Sequence, residues 1–452
     1  MKAYLDILKL VWPLALGMVN NALMQFIDRA FLARESLESL EAVLPASMLS
    51  LIIVGFFQAV VAYSGTFVAT YHGAGNSRMC ESSYRAGTAL AIVFGFLVLA
   101  FIPLGSFIFE TFSIGEELIK REKEYYSICT AAGIFIFGQM AAQAYFTGKG
   151  KTKAVFAVNL IGNIINIALD PLLIFGWCGL PALGISGAAL ATSLALAFQW
   201  AILAVLAEAD IRKERAAQTM NGERGQTPED SLKSVTWRIL RYGIPSGGYS
   251  TLNLISFTVF VFFTGRVGHL EAAVSNACFA INYLLFAPIE GFALGAATLV
   301  GQAKGAGDTL AAQRAGWRTA ILATILTAIL LSVTLLFNEP ILNIFAPDDP
   351  KLAPDFISLG FTLLILMAAW QIFEVFDTVL SGALKGSGDT GFVMWWMLIG
   401  AFFLWLPLVA AVSCFHNTMP MLWATIVFEV AALCIGTILR WKRGGWKKIS
   451  LT

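Results

Sequence analysis

Residues 159–171 read NLIGNIINIALDP, and the placement of this stretch decides the fold. Its Leu, Ile and Ala are as oily as a bilayer-spanning helix, which needs about 20 mostly apolar residues. Yet Asn159, Asn163, Asn166 and Asp170 interrupt them. On a helix those four side chains fall within about 60° of one another. So narrow a stripe must turn from lipid toward the interior of a helix bundle. Pro171 then removes a backbone donor and disturbs the helix just past Asp170. The stretch reads as one transmembrane helix with a single polar face.

The composition extends that reading to the whole chain. Of 452 residues, 58% are hydrophobic and 13% charged, against about a quarter charged in a soluble domain. The chain is an all-α membrane protein. Its net charge of +1 gives no sign of a nucleic-acid partner. The N-terminal MKAYLDILKLVWPLALGMVNN, with Asp6 and Pro13 in the run, reads as a first span and not as a signal peptide. Cys80, Cys129, Cys178, Cys278, Cys414 and Cys434 form no CxxC or His/Cys cluster, so neither a disulfide framework nor a zinc site is expected.

Twelve candidate spans follow, at about 7–32, 44–70, 87–112, 125–147, 154–176, 186–208, 236–264, 272–300, 316–338, 355–384, 391–414 and 418–440. With both termini cytoplasmic, the inner tails and connections hold 23 of the 30 Lys and Arg, as the positive-inside rule requires. The outer connections carry Glu116, Glu117, Asp348 and Asp349. Trp12, Trp237, Trp441 and Trp446 fall at the expected interfaces and read as belt residues. The domain division is 1–208 (spans 1–6), a polar cytoplasmic linker at 209–235, and 236–452 (spans 7–12).

The halves repeat. Pro13 in WPLALG matches Pro245 in GIPSGG, and GAGNS at 73–77 matches GAGDT at 305–309, both 232 residues apart. GKGKT at 148–152 matches GSGDT at 386–390. This is a parallel repeat of two pseudo-symmetric six-helix lobes, common in transporters. The Gly-rich turns faintly resemble phosphate loops, but no GxxxxGK[ST] occurs. Asn76 and Asp308 stand at helix N-cap positions, so the turns read as structural.

Ionisable residues inside spans are costly and mark pathways or coupling sites. Here they are Asp28 and Asp170 in the first half, and Glu290, Glu374, Asp377 and the apparently isolated Glu429 in the second. Asp28 shares a polar stripe with Asn21 and Gln25, and Gln371 precedes Glu374 by one turn. A carboxylate, amide oxygens and a loosened carbonyl form a hard-oxygen site suited to a proton or Na⁺. Pro13 supplies a kink in span 1.

The run NLIGNIINIALDPLLIFGWCGLPALGISGAALATSLA (159–195), with ATLVGQAKGAGD (297–308) and LSGALKGSGDT (380–390), resembles the multidrug and toxic compound extrusion (MATE) family of prokaryotic type. The resemblance covers essentially the whole chain. It implies a V-shaped pair of lobes around a cavity that alternates sides. It also implies antiport of organic, often cationic, compounds against inward Na⁺ or H⁺. Carried over residue by residue, the cation site is Asp28, Asn166, Asp170 and Thr192 with the Ala188 carbonyl, and Pro13 is the kinking proline. Glu374 matches the family's second-lobe acid. Asn253 stands where some branches have an acid, and Glu290 where a small or apolar residue is expected.

The reading is therefore a cation-coupled exporter in a prokaryotic plasma membrane, acting as a monomer, with a small organic substrate and no cofactor beyond the coupling ion. Glu374, Glu290, Asn253, Gln371 and Asp377 are the candidate substrate or second-lobe coupling residues. The alternative is a flippase or exporter of a lipid-linked or amphipathic metabolite, which wants a basic cavity. An intramembrane enzyme is not expected, since the chain has no HExxH or GxSxG.

Overall fold

The computed structural model describes residues 2–113, 115–220, 231–347, 349, 351–416 and 418–451. Twelve of its helices, alone or in end-to-end pairs, are long and apolar enough to cross a membrane. In chain order they are α1 (Tyr4–Glu35), α2 (Glu41–Gly73), α3 (Ser77–Phe112), α4 (Glu116–Gly148), α5 (Thr152–Ile174), α6 (Ile185–Met220), α7 (Leu232–Thr264), α8 (His269–Gly305), α9 (Thr309–Leu336), α10 (Ala353–Gly386), α11 (Thr390–Phe415) and α12 (Met419–Arg443). No strand occurs among the described residues. The chain is a multi-pass membrane protein, as its composition predicts.

Two compact units emerge, and neither is contiguous in sequence. One, unit A, gathers Val19–Thr251, Gly301–Asp308 and the C-terminal Leu451. The other, unit B, gathers the chain up to Met18, Leu252–Val300 and Thr309–Ser450. Helices α1, α7 and α8 each begin in one unit and end in the other.

Unit A is built around Phe67, Phe137, Tyr145, Leu203 and Ile239, all fully or almost fully buried. Within it the ends of α2 and α8 cross in backbone contact. A methyl group on Gly73 would lie 1.9 Å from the Gln302 carbonyl oxygen, and one on Gly305 would lie 1.8 Å from that of Thr70. Gln302 and Thr70 are themselves 232 residues apart, so the sequence repeat reappears as a reciprocal contact. Gln302 Nε2 also donates to the Gly148 carbonyl at 2.7 Å. Asn76 caps α3 by accepting from Met79 N–H at 3.1 Å, as its position predicts.

The connection expected at 209–235 is largely helix. α6 runs on to Met220 and α7 starts at Leu232, while residues 221–230 and Asp348 lie outside the described residues. Ion pairs hold the extension down. Lys149, in the turn between α4 and α5, has a side chain only 1% exposed and binds Asp210 at 2.6 Å and Glu214. Lys151 binds the other oxygen of Asp210, and Arg215 Nε donates to Glu81 at 2.8 Å. A polar segment thus stays helical because its charges have fixed partners on α3 and on the α4–α5 turn.

Unit B packs around Phe260, Met367, Trp370, Trp405 and Trp423, with Phe279 stacked on Trp423 at 4.7 Å. Trp423 Nε1 donates to Ser275 Oγ at 3.0 Å. Two of the expected belt tryptophans belong here, and the structure corrects that reading. Trp441 and Trp446 are fully buried and stack at 4.3 Å. The chain turns back at Gly444, in a left-handed conformation, and folds one ring onto the other. Trp12 and Trp237 are exposed, as belt residues must be.

Candidate functional site

In unit A the polar stripe of α5 forms a ladder whose rungs reach α4, α1 and α6. Asn159 accepts from Gln139 Nε2 of α4 at 3.2 Å and donates to Gln143 Oε1 at 3.3 Å. Asn163 donates to Asn21 Oδ1 of α1 at 3.0 Å and accepts from Gln199 Nε2 of α6 at 3.3 Å. Gln199 can reach it because the intervening position is Gly162, where a Cβ would lie 2.2 Å from Gln199 Nε2. All these groups are hydrogen-bonded, so burial costs them little.

The next rungs differ. Asn166 is fully buried. In the amide orientation that satisfies both ends, its nitrogen donates to Asp28 Oδ1 at 3.0 Å and its oxygen accepts from Thr192 N–H at 3.2 Å. Thr192 Oγ1 in turn donates to the Ala188 carbonyl at 3.1 Å. Asp170 is also fully buried, and neither oxygen meets a protein hydrogen-bond donor among the described residues. It faces the carboxyl of Asp28 instead.

The structure thus brings Asp28, Asn166, Asp170, Thr192 and Ala188 together within one unit. Two facing carboxyls cannot both stay ionised and bare in a buried site. A shared proton or a small hard cation resolves the repulsion: the Asn166 N–H supports a carboxylate that shares a proton, and the hydroxyl and carbonyl oxygens of Thr192 and Ala188 are the oxygens next to that amide. The lower rungs, with every amide paired, hold helices together. Sequence reasoning missed Tyr125 and Cys129 of α4, which also face Asp28. Their i, i+4 spacing was the available signal. Pro13 is buried inside an unbroken α1.

In unit B the candidates sit on three helices. Asp377 of α10 accepts from Thr437 Oγ1 of α12 at 2.6 Å. Gln371 is fully buried and donates to Asn282 of α8. Glu374 is half-buried, with Oε2 lacking a donor. Glu290 and Asn253 are exposed. Glu429, isolated in the sequence, is drawn into the electrostatic neighbourhood of Glu374 and Asp377. Lys385, in the last turn of α10, interacts with both Asp377 and Glu290. The sequence reading assigned Lys385 to a cytoplasmic turn and so overlooked it.

The comparisons agree with this architecture. The MatE family model matches residues 13–172 and 245–410, so its two matched segments begin at Pro13 and Pro245, the repeat-related prolines. The "Probable multidrug resistance protein NorM" of Thermotoga maritima is 26% identical over 389 residues, covering 85% of this chain and 80% of that protein. Its namesake in Pseudomonas aeruginosa is 25% identical, covering 87% and 80%. A crystal structure described as MATE in the straight conformation superposes with a TM-score of 0.83 at 18% identity, covering 98% of this chain and 97% of that one. That likeness shows the same fold. With the family model spanning well over half of the chain, the protein belongs to the MatE family of multidrug and toxic compound extrusion proteins, and is a twelve-span transporter rather than an enzyme.

Proposed function

We propose that this transporter is a cation-coupled antiporter that exports organic, cationic and amphipathic compounds across the prokaryotic inner membrane. It works as a monomer of two six-span lobes, joined by the 209–235 segment, with both termini cytoplasmic. The names of its curated relatives, multidrug resistance proteins, support the substrate class. The observation that carries the coupling is the pairing of the half-buried Asp28 with the buried Asp170, which needs a proton or Na⁺ between its carboxyls. Thr192 and the Ala188 carbonyl supply further oxygens, and Asn166 adds its own when its amide turns over toward a bound Na⁺. Binding of the ion removes the repulsion between α1 and α5, and its release restores it. Pro13 lets α1 answer by bending. In unit B, Glu374 and Glu290 attract the cationic substrate or share in coupling, and Gln371, Asp377 and Asn253 are further candidates for the same role.

The test is dye efflux from proteoliposomes with a Na⁺ gradient or a pH gradient imposed separately. Efflux driven by one of them, and lost in Asp170→Asn, is the expected result. Efflux unaffected by either gradient sinks the antiport reading. Lipid scrambling without ion flux favours the flippase alternative.

A further inference from the structure

Unit B holds a buried carboxyl group that the Asp28–Asp170 pair does not use. Glu429 is only 4% exposed, and its Oε1 meets no hydrogen-bond donor among the described residues. Its neighbours are acids. Asp377, 8% exposed, and Glu374 both interact with it electrostatically. On α10, Glu374, Asp377 and Lys385 fall within about 80° of one another and so share one face. The remaining titratable neighbour of Asp377 is the Cys434 thiol of α12.

An ionised carboxylate cannot sit bare beside two others in a buried site. Lys385 interacts with Asp377 and Glu290, while the influences on Glu374 and Glu429 are burial, neighbouring acids and Trp370, with no cation among them. Glu429 therefore needs a positive charge of its own. Among the described residues no three acids stand close enough together to hold a metal ion, and a bond to a single carboxyl oxygen suits a proton. The electrostatic links also run in a line toward the surface. Glu290 is exposed and interacts with Lys385, Lys385 with Asp377, and Asp377 with Glu429. The Thr437 hydroxyl occupies Asp377 Oδ1.

We propose that Glu429 is a proton-storage site of unit B, loaded and emptied through Asp377, Lys385 and Glu290. On release the two side chains swing together and the proton passes from the Glu429 carboxyl to the Asp377 carboxylate. Lys385 relays it by giving one of its own protons to Glu290 and taking up the one from Asp377. Water then takes the proton from Glu290, and loading reverses the order. The proposal rests on unit B's acids being functional and is independent of the Asp28–Asp170 coupling.

The test is infrared difference spectroscopy of the full chain in vesicles across a pH change. The expected result is a C=O stretch from a protonated buried carboxyl that vanishes in Glu429→Gln and survives in Asp170→Asn. A spectrum unchanged in Glu429→Gln overturns the proposal. If that variant does not reach the membrane, Glu429→Asp replaces it: a shifted band supports the site, and an unmoved band overturns it. Efflux retained in Asp170→Asn would sink the coupling reading alone and leave this one standing.

Discussion

Gly305→Ala is the sharpest test of the repeat as a physical object. The new methyl group would lie 1.8 Å from the Thr70 carbonyl oxygen, 2.7 Å from its carbon and 3.0 Å from its Cα. Carbon atoms in contact ordinarily lie about 3.5–4.0 Å apart, so α2 and α8 must separate by roughly 1.5 Å. The obstacle is helix backbone and cannot rotate away. Overpacking of this kind costs about 1–3 kcal/mol, and a rigid obstacle puts the cost at the upper end. Alanine's better helix propensity returns about 1 kcal/mol, leaving a net loss of about 2 kcal/mol. Gly307, two residues on, provides the control. It has φ +78° and nothing within 4 Å of a Cβ, so Gly307→Ala costs only left-handed strain of about 1 kcal/mol. Melting temperatures of the purified protein should rank Gly305→Ala below Gly307→Ala, and Gly73→Ala below Gly75→Ala. The double variant Gly73→Ala with Gly305→Ala should lose less than the sum, because one separation admits both methyl groups. Equal melting of Gly305→Ala and Gly307→Ala, or strict additivity of the double variant, would refute the crossing.

Three more outcomes follow from the packing. Asp28→Asn and Asp170→Asn should each lower ion-driven efflux on the order of tenfold or more while membrane insertion is kept; full resistance of cells to a transported toxin in both variants would remove them from coupling. Asn159→Leu should cost about 1–2 kcal/mol of stability yet keep efflux, since Gln139 and Gln143 retain their mutual bond at 2.9 Å, whereas Asn166→Leu should lose efflux; equal transport by the two would erase the distinction between rungs. Lys149→Met should destabilise unit A by about 3 kcal/mol, the low end for breaking a buried pair, because Asp210 keeps Lys151 and Glu214 is 32% exposed; an unchanged melting temperature contradicts this.

The twelve spans were legible because a long apolar run admits few alternatives, and the stripe on α5 because 3.6-residue periodicity puts four polar groups on one face. The repeat was legible because Pro13 and Pro245 hold their spacing from GAGNS and GAGDT. What stayed hidden was pairing between distant segments. Nothing local to Lys149 announces that Asp210 and Glu214 lie 61 and 65 residues on at bonding distance, so its burial could not be read from its neighbours in sequence. The same holds for Glu429, whose neighbours on α10 lie more than fifty residues back. Trp441 and Trp446 misled for a related reason: interfacial position is a composition rule, while their stacking depends on a left-handed glycine between them.

The two halves of the chain repeat in sequence but distribute polarity differently, and that difference bears on mechanism. In unit A the acids stand on α1 and α5, and the amides of α5 are bonded to α1, α4 and α6. In unit B the helix corresponding to α5 is α11, whose Thr390–Phe415 sequence has no acid or amide, and the acids have moved to α8, α10 and α12. A strict repeat of function would have required an acid on α11 facing the start of unit B. Its absence means that the pseudo-two-fold constrains packing, through glycines and prolines, more tightly than chemistry. Two sites freed from symmetry can answer different ions: a hard-oxygen cradle around Asp28 and Asp170, and a line of carboxyls and one lysine ending at Glu429. Measuring efflux under Na⁺ and pH gradients in Asp170→Asn and Glu429→Gln side by side separates them, because independent sites lose different driving forces and a single shared site loses the same one.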